Sequence, residues 1–175
     1  MQEPNKRARF ELVVVPHLAA AYNLARWLTR NDHDAEDMVQ DAFLRAFRFF
    51  DDFRGSDGRA WILAIVRNAC YTWLRQNRGK QVAIEEEVPD FEDSKPNPEE
   101  LHMAAVDQQM LRQAIEDLPE EFREAIILRE LEGLSYKEIG AIAGIPIGTV
   151  MSRLARARQR LEKTLVGRIS QGGDA

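Results

Sequence analysis

Apolar side chains recur every three or four residues along most of the chain, which is the spacing of one face of an α-helix. The period runs from Phe10 to Leu28, restarts after Asp32 or Asp34 as a candidate N-cap and continues to about Phe50. It resumes near Arg59, after the turn-forming stretch FRGSDG. No alternation typical of strands occurs. The pattern predicts three helices over residues 1–78, the first with a possible kink at Pro16, packed as one bundle.

The helical period returns after residue 100 and predicts a second, smaller domain of four helices over residues 101–175. The first of these covers LHMAAVDQQMLRQAIEDL. Pro119 is expected in the first turn of the second helix and Gly133 just after its end, as proline and glycine commonly are. The remaining two helices correspond to SYKEIGAIAG and IGTVMSRLARARQRLEKTL. The fold class predicted is therefore all-α.

Residues 79–100 have a different composition from the segments on either side. They contain three prolines, eight acidic and two basic residues, and no sustained period. Such a composition is typical of a flexible linker. We therefore predict two small helical domains joined by an acidic linker.

Composition excludes several classes of protein. The chain has 175 residues and a net charge of −5; no apolar run approaches the roughly 20 residues of a membrane span, and the start lacks the pattern of a secretory signal. We expect a cytoplasmic protein without membrane insertion. One cysteine and three isolated histidines predict no disulfide, no metal site and no cofactor. An enzyme is the weakest hypothesis, because no nucleophile, metal triad or phosphate loop stands out.

Residues 135–161, SYKEIGAIAGIPIGTVMSRLARARQRL, fit a helix-turn-helix. Ser135 and Glu138 form the sequence pattern of a capping box. Gly140 is expected where two helices cross too closely for a side chain, and Gly144 where the turn needs a positive φ. Pro146 suits entry into the second helix. The positive charge supports this interpretation, since residues 135–165 carry six basic and two acidic side chains.

The second helix of this motif is predicted to be amphipathic. Its apolar stripe would contain Ile147, Val150, Leu154, Ala157, Leu161 and Leu165. The opposite side carries side chains that can contact bases or phosphates in the major groove: Thr149, Ser152, Arg153, Arg156, Gln159 and Arg160, followed by Lys163. A solvated basic face on a structural helix is the alternative, and the capping box, the glycines and the stripe together weigh against it.

Two long segments resemble one protein family. LPEEFREAIILRELEGLSYKEIGAIAGIPIGTVMSRLARARQRL resembles the −35 binding domain of bacterial sigma factors of the extracytoplasmic function (ECF) group. DAEDMVQDAFLRAF followed by FRGSDGRAWILAIVRNACYTWLRQNR is similar to their core-binding and −10 binding domain. The resemblance implies a transcription initiation factor. Its implied partners are core RNA polymerase, through the β′ clamp helices and the β flap, promoter DNA and an anti-sigma factor.

The resemblance also implies roles for individual residues. The face that docks on the β′ clamp helices would contain Asp37, Gln40, Asp41 and Phe47. The part that captures an unstacked −10 base would contain Arg54 and Arg59, followed by Asn68. The phosphate backbone would be held by Arg67, Arg75, Arg78 and Lys80. Two departures from the family pattern stand out: the loop before Trp61 looks one residue shorter than FRGESSFRTW, and Met151 occupies a position usually filled by a basic residue.

Two functions of other classes compete with this interpretation. A sigma-like decoy would sequester an anti-sigma factor without binding DNA, and it should have lost Arg153, Arg156 and Arg160, which are all present. A dimeric repressor would need neither the acidic linker nor the DAED-type helix. The sequence therefore favours an initiation factor over both.

Overall fold

A computed structural model describes residues 5–55, 57–78 and 100–172 of the chain, and these residues form eight α-helices joined by turns, with no strand among them. The prediction of an all-α fold is confirmed. The predicted linker lies outside the described residues, apart from Glu100, which is the first residue of a helix.

The N-terminal bundle consists of four helices: α1 (Lys6–Val13), α2 (Leu18–Thr29), α3 (Asp32–Arg48) and α4 (Gly58–Asn77). The single first helix of the prediction is two helices in the structure, because the chain breaks at Pro16. A 3₁₀ turn, Val15–His17, separates them. Proline has no backbone N–H and its ring clashes with the preceding turn, so a continuous helix through this position would be strained.

The start of α3 differs from the prediction by one cap residue. Neither Asp32 nor Asp34 is the N-cap: Asn31 has extended backbone, and its side-chain oxygen accepts a hydrogen bond of 3.1 Å from the backbone N–H of Asp34. The two aspartates lie in the first helical turn instead, where negative charge is favourable. At the other end, α3 stops at Arg48 and a 3₁₀ turn begins at Phe50.

The C-terminal bundle consists of α5 (Glu100–Glu116), α6 (Glu120–Ile126), α7 (Tyr136–Ala143) and α8 (Ile147–Gly172). Pro119 precedes α6 as its N-cap, and a π-helical turn, Ile127–Leu131, continues α6 towards Gly133. Gly133 has a φ of 66°, as expected of the residue that ends a helix. α8 extends past its predicted end at residue 165.

The two bundles pack against each other, with α4 on α7 and α2 on α6. Their buried side chains form one continuous apolar cluster. Its largest fully buried apolar members are Phe50, Leu24, Leu28, Ile62 and Leu63 of the N-terminal bundle and Ile127, Leu128, Leu134, Ile139 and Leu154 of the C-terminal bundle. We call this arrangement the closed chain, and it decides which polar side chains are free.

Candidate nucleic-acid and polymerase interfaces

The turn between α7 and α8 has the geometry that the sequence predicts for a helix-turn-helix. The Ser135 hydroxyl accepts from the backbone N–H of Glu138 at 3.1 Å, and the Glu138 carboxylate accepts from the backbone N–H of Ser135 at 3.4 Å. Gly144 caps α7 with a φ of 69°. A Cβ on Gly140 would lie 2.8 Å from the carbonyl oxygen of Ile145, so a side chain there would displace the turn. The prediction for all four residues is confirmed.

The inner face of α8 anchors this helix to the rest of the bundle. Val150, Leu154 and Ala157 are fully buried, while Leu161 and Leu165 are half-buried. Ile147 is the exception: it is 48% exposed, so its assignment to the apolar stripe is wrong. It is the first residue of α8 and lies beyond the packing of that face against α6 and α7.

The predicted DNA-reading residues of α8 do not all have the same environment. Ser152, Arg156, Gln159 and Arg160 are exposed, Thr149 is half-buried, and only 19% of the Arg153 side chain is accessible.

Contacts within the C-terminal bundle explain this difference. Arg153 lies 3.8 Å from the carboxylate of Glu121 on α6. Arg160 stacks on Phe122, with its guanidinium carbon 5.2 Å from the ring centroid. Arg156 has no ion pair among the described residues and points into solvent. Arg156 is therefore the arginine of this set best placed to enter a major groove.

The predicted −10 residues that the structure describes lie along α4 and the loop before it. Arg54, Asn68, Arg75 and Arg78 are exposed, whereas Arg59 and Arg67 are half-buried against the C-terminal bundle. Lys80 lies outside the described residues. The aromatic side chains around this loop are part of the packing: Trp61 contacts Phe53, with ring centroids 4.8 Å apart, and lies against the core as expected.

Arg67 takes part in a buried network between the bundles. Its Nε donates to the carboxylate of Glu124 at 2.7 Å, and the Tyr71 hydroxyl donates to the other oxygen of the same carboxylate at 2.8 Å. The side-chain exposure is 17% for Arg67 and 2% for Glu124. The guanidinium also lies over the Tyr71 ring, 3.9 Å from its centroid.

This network shifts the ionisation of its members. Burial alone would lower the pKa of Arg67, but the hydrogen bond and the charge of Glu124 outweigh it and raise that pKa. Burial, followed by the charge of Glu124 and its hydrogen bond, raises the pKa of Tyr71 well above its usual range. Burial and Glu124 together also raise the pKa of Cys70 to about 12, so its thiol stays protonated at neutral pH.

Other polar contacts cross the same interface. Arg59 donates to the backbone carbonyl of Glu132, and the Asn23 amide donates to the Glu132 carboxylate at 2.8 Å. Arg78 lies 3.8 Å from the carboxylate of Glu120, with most of its side chain exposed. The closed chain therefore holds three of the predicted −10 cations in contact with the C-terminal bundle. Sequence analysis missed these acceptors.

Arg123 is a buried charge at this interface with incomplete hydrogen bonding. Only 4% of the residue is exposed; one terminal nitrogen donates to the carbonyl oxygen of Trp27 at 3.2 Å, and Nε has no partner in the structure. Burial, together with the positive charge of Arg30, lowers the pKa of Arg123. Burying a guanidinium with an unpaired donor is unfavourable. The burial of Arg123 therefore offsets part of the free energy gained from apolar packing between the two bundles.

The predicted polymerase-binding residues share an exposed face of α3. Asp37, Gln40 and Asp41 are all exposed. Phe47 is 39% exposed because one side of its ring packs edge-on against Phe10 of α1, with centroids 5.3 Å apart. The face also contains Leu44, 67% exposed, which sequence analysis did not single out. Leu44 and the exposed part of Phe47, three residues further along α3, add an apolar component to this acidic face.

Two other kinds of site are absent from the described residues. No group of three or more histidine, cysteine or acidic side chains could hold a metal ion there. None of the helices in the described ranges is both long and apolar enough to cross a membrane.

The helix-turn-helix and the basic outer face of α8 are features typical of DNA-binding proteins. Comparison with known families narrows the class of protein further. Residues 13–80 match the family model "Sigma-70 region 2" and residues 108–161 match "Sigma-70, region 4". The chain belongs to the sigma-70 family of transcription initiation factors, and its relatives are ECF sigma factors.

Two relatives illustrate the similarity. The ECF RNA polymerase sigma-E factor of Escherichia coli K12 is 38% identical over 174 residues, covering 93% of this chain and 88% of that protein. The ECF RNA polymerase sigma factor SigE of Mycolicibacterium smegmatis is 36% identical over 91% of this chain. The chain spans 62% of the length of the latter protein.

Two solved structures are similar across both bundles. The sigma factor RpoE of Bartonella quintana, in complex with the anti-sigma factor NepR, aligns with a TM-score of 0.68 at 36% identity, covering 91% of this chain and 97% of that one. CnrH in complex with the cytosolic domain of CnrY aligns with a TM-score of 0.64 at 28% identity, covering 93% and 90%. Both alignments include the two bundles of this chain.

Proposed function

We propose that this chain binds core RNA polymerase and directs it to a specific set of promoters in the cytoplasm, without catalytic chemistry of its own. The observation that carries this proposal is the free, basic face of α8 around Arg156, held rigidly by a complete helix-turn-helix. Family membership supports it, since both matched regions occur in one chain in the expected order.

The three sets of residues then have separate roles. Arg156, with Ser152 and Gln159 beside it, reads the −35 element in the major groove, where arginine recognises guanine through O6 and N7. The cations of α4 and its preceding loop hold the −10 region, mainly through phosphates. The face of α3 around Asp41 and Leu44 binds the polymerase. Direct base reading by Arg153 requires the loss of its contact with Glu121.

Regulation by an anti-sigma factor is part of the same proposal. Two structurally similar proteins were solved with such a partner or with a cytosolic domain bound. A partner that covers α3 or α8 would block polymerase or DNA in this chain as well.

Run-off transcription on a promoter library with purified core polymerase tests the proposal. We expect transcripts from a subset of templates only when the chain is added, and the enriched templates should share a −35 element. Arg156→Ala should lose that enrichment while still binding the core enzyme. Identical transcription with and without the chain would contradict the proposed function.

The decoy hypothesis is supported by one observation, the exposed Met151 at a position where the family usually has a basic residue. A decoy would bind an anti-sigma factor and leave transcription unchanged. The same experiment therefore separates the two functions.

A further inference from the structure

Apolar side chains lie on the exposed side of the first turns of α8. Ile147 is 48% and Met151 53% exposed, and Ala155 is exposed as well. These three residues are four positions apart, so they lie one above the other on the same side of the helix. We call them the apolar strip. At about 1.5 Å per residue the strip is about 12 Å long, which is the length of roughly three to four base pairs.

A polar strip runs beside the apolar one. It contains Ser152 and Arg156, which follow Met151 and Ala155 directly in the sequence. The Ser152 hydroxyl donates to the backbone carbonyl of Gly148 at 3.1 Å, so its lone pairs remain for a partner outside the helix. Arg156 is exposed and has no ion pair among the described residues. A duplex that Arg156 enters therefore also covers Met151.

Little free positive charge surrounds the apolar strip. Of the four arginines between residues 153 and 160, all but Arg156 contact a side chain of α6 or of the turn that continues it. Contacts between a cation and a phosphate hold DNA but carry no sequence information directly. Sequence recognition by the first turns of α8 therefore depends on the edges of the bases that these turns cover.

The C5-methyl group of thymine is the apolar group that a base pair presents in the major groove. The edges of the other three bases carry strong hydrogen-bond donors or acceptors, and burying one of these against an apolar side chain without a partner is costly. Methionine is unbranched and polarizable, so its side chain adapts to the position of a methyl group. Burial of exposed apolar area against that methyl group is favourable. The apolar strip therefore fits thymine better than any other base.

We propose that Met151 is a specificity-determining residue that reads a thymine of the −35 element through its C5-methyl group, with Ile147 and Ala155 completing the apolar contact. This inference rests on the proposed function, because it takes α8 as the helix that enters the −35 major groove. Arg156 and Met151 then read different base pairs by different chemistry. Arginine donates hydrogen bonds to guanine, and methionine packs against a methyl group.

Replacing thymine by uracil tests the proposal, because it removes the methyl group and keeps the base pairing. The full-length chain is assembled with purified core polymerase, and its affinity is measured at fixed salt for fluorescein-labelled promoter duplexes in which one −35 thymine at a time is deoxyuridine. We expect one of these changes to weaken binding about threefold to fivefold, as the loss of one buried methyl group does. With cytosine at that position, binding should be tighter when the cytosine carries a 5-methyl group.

Two variants of Met151 connect this effect to its side chain. Met151→Ala should bind the thymine and uracil duplexes equally, whereas Met151→Leu keeps an apolar side chain and should retain the preference for thymine. The residue is exposed, so neither substitution disturbs the core. Val166→Ala is the matched control, since Val166 is an apolar residue of the same helix, 58% exposed, beyond the helix-turn-helix. This variant should keep the full difference between thymine and uracil.

Three outcomes would overturn the proposal. They are a selected −35 element without thymine, equal affinity of the unmodified chain for every thymine-to-uracil pair of duplexes, and a thymine preference that persists in Met151→Ala. The last would show that the methyl group acts through the shape of the DNA and not through this side chain. Absence of any −35 sequence preference in the unmodified chain would instead contradict the proposed function itself.

Discussion

The two basic surfaces of this protein have opposite environments in the closed chain. On α8, Arg156 is in solvent and without an ion pair among the described residues, whereas on α4, Arg67 is 17% exposed and bound to Glu124. Both arginines lie on helices and both are assigned to DNA. The comparison shows that residue type and helix position do not decide whether a cation is available; the packing of the neighbouring bundle does.

The largest expected effect is the difference in stability between two arginine-to-alanine variants, one on α4 and one on α8. Arg67→Ala leaves the buried Glu124 carboxylate with the Tyr71 hydroxyl but without its charged partner, which costs about 3–5 kcal/mol in a closed structure. Arg156→Ala should change stability by no more than about 0.5 kcal/mol, as surface substitutions usually do. Urea unfolding of both variants measures the difference.

The loss of stability in Arg67→Ala cannot exceed the free energy needed to separate the two bundles, because water reaches Glu124 once they have separated. A stability loss shared equally by both variants would show that the two surfaces do not differ. A small loss with normal cooperativity would indicate that the bundles already separate in solution.

A second prediction tests whether α8 depends on the close approach at its turn. Gly140→Ala places a Cβ 2.8 Å from the Ile145 carbonyl oxygen, and we expect a loss of about 1–3 kcal/mol from the strained turn. Gly148→Ala is the matched control, since a Cβ there meets nothing within 4 Å. It should stabilise α8 by up to about 1 kcal/mol. Thermal unfolding measures both variants. Unfolding temperatures that shift in the same direction would contradict the prediction.

The third prediction concerns the affinity of the outer face of α8 for duplex DNA. Arg156→Ala should weaken binding to a duplex carrying the selected −35 element by about 1–3 kcal/mol and relax its base preference. Arg158→Ala removes the same charge from the same helix, but Arg158 is paired with Glu130. Fluorescence anisotropy with matched and mutated duplexes compares them. Equal loss of specificity in both variants would mean that charge, and not base contact, explains the effect.

The smallest expected effect is a change in the salt dependence of DNA binding by the basic surface of α4. Arg75 is exposed on α4, and its one side-chain hydrogen bond within the described residues is to Thr72 on the same helix, so it is available for a phosphate. Arg75→Ala should reduce the slope of log affinity against log salt by about 1. Arg48→Ala, at the exposed end of α3, is the control and should leave the slope unchanged. The measurement uses a fluorescein-labelled single-stranded 20-mer of randomised sequence, because phosphate contacts need no particular bases.

Local features of the helix-turn-helix were predictable from the sequence. The Ser135 capping box, the positive φ of Gly144 and the close approach at Gly140 depend on residues within ten positions of one another. The break at Pro16 was harder, because proline can either kink or end a helix. Asn31, and not Asp32 or Asp34, is the N-cap of α3. All three side chains can cap a helix, and the backbone geometry decides which of them does.

Environment at the candidate sites was less predictable than residue type. Helical spacing placed Ile147 on the apolar stripe, yet the helix begins there and 48% of this residue is exposed. The same spacing gave no indication that Arg153 would face Glu121 on α6. Periodicity identifies the inner and outer sides of a helix, but it cannot show where the neighbouring helices end.

The sequence by itself determined the helices, the turn chemistry and the basic face of α8, because these depend on interactions between residues close together along the chain. Only the tertiary structure decided which cations are free. Glu124 and Arg67 are separated by 57 positions, and no local pattern reports their meeting. Their pairing depends on how the two bundles dock, a balance between apolar burial and the desolvation of three charged side chains.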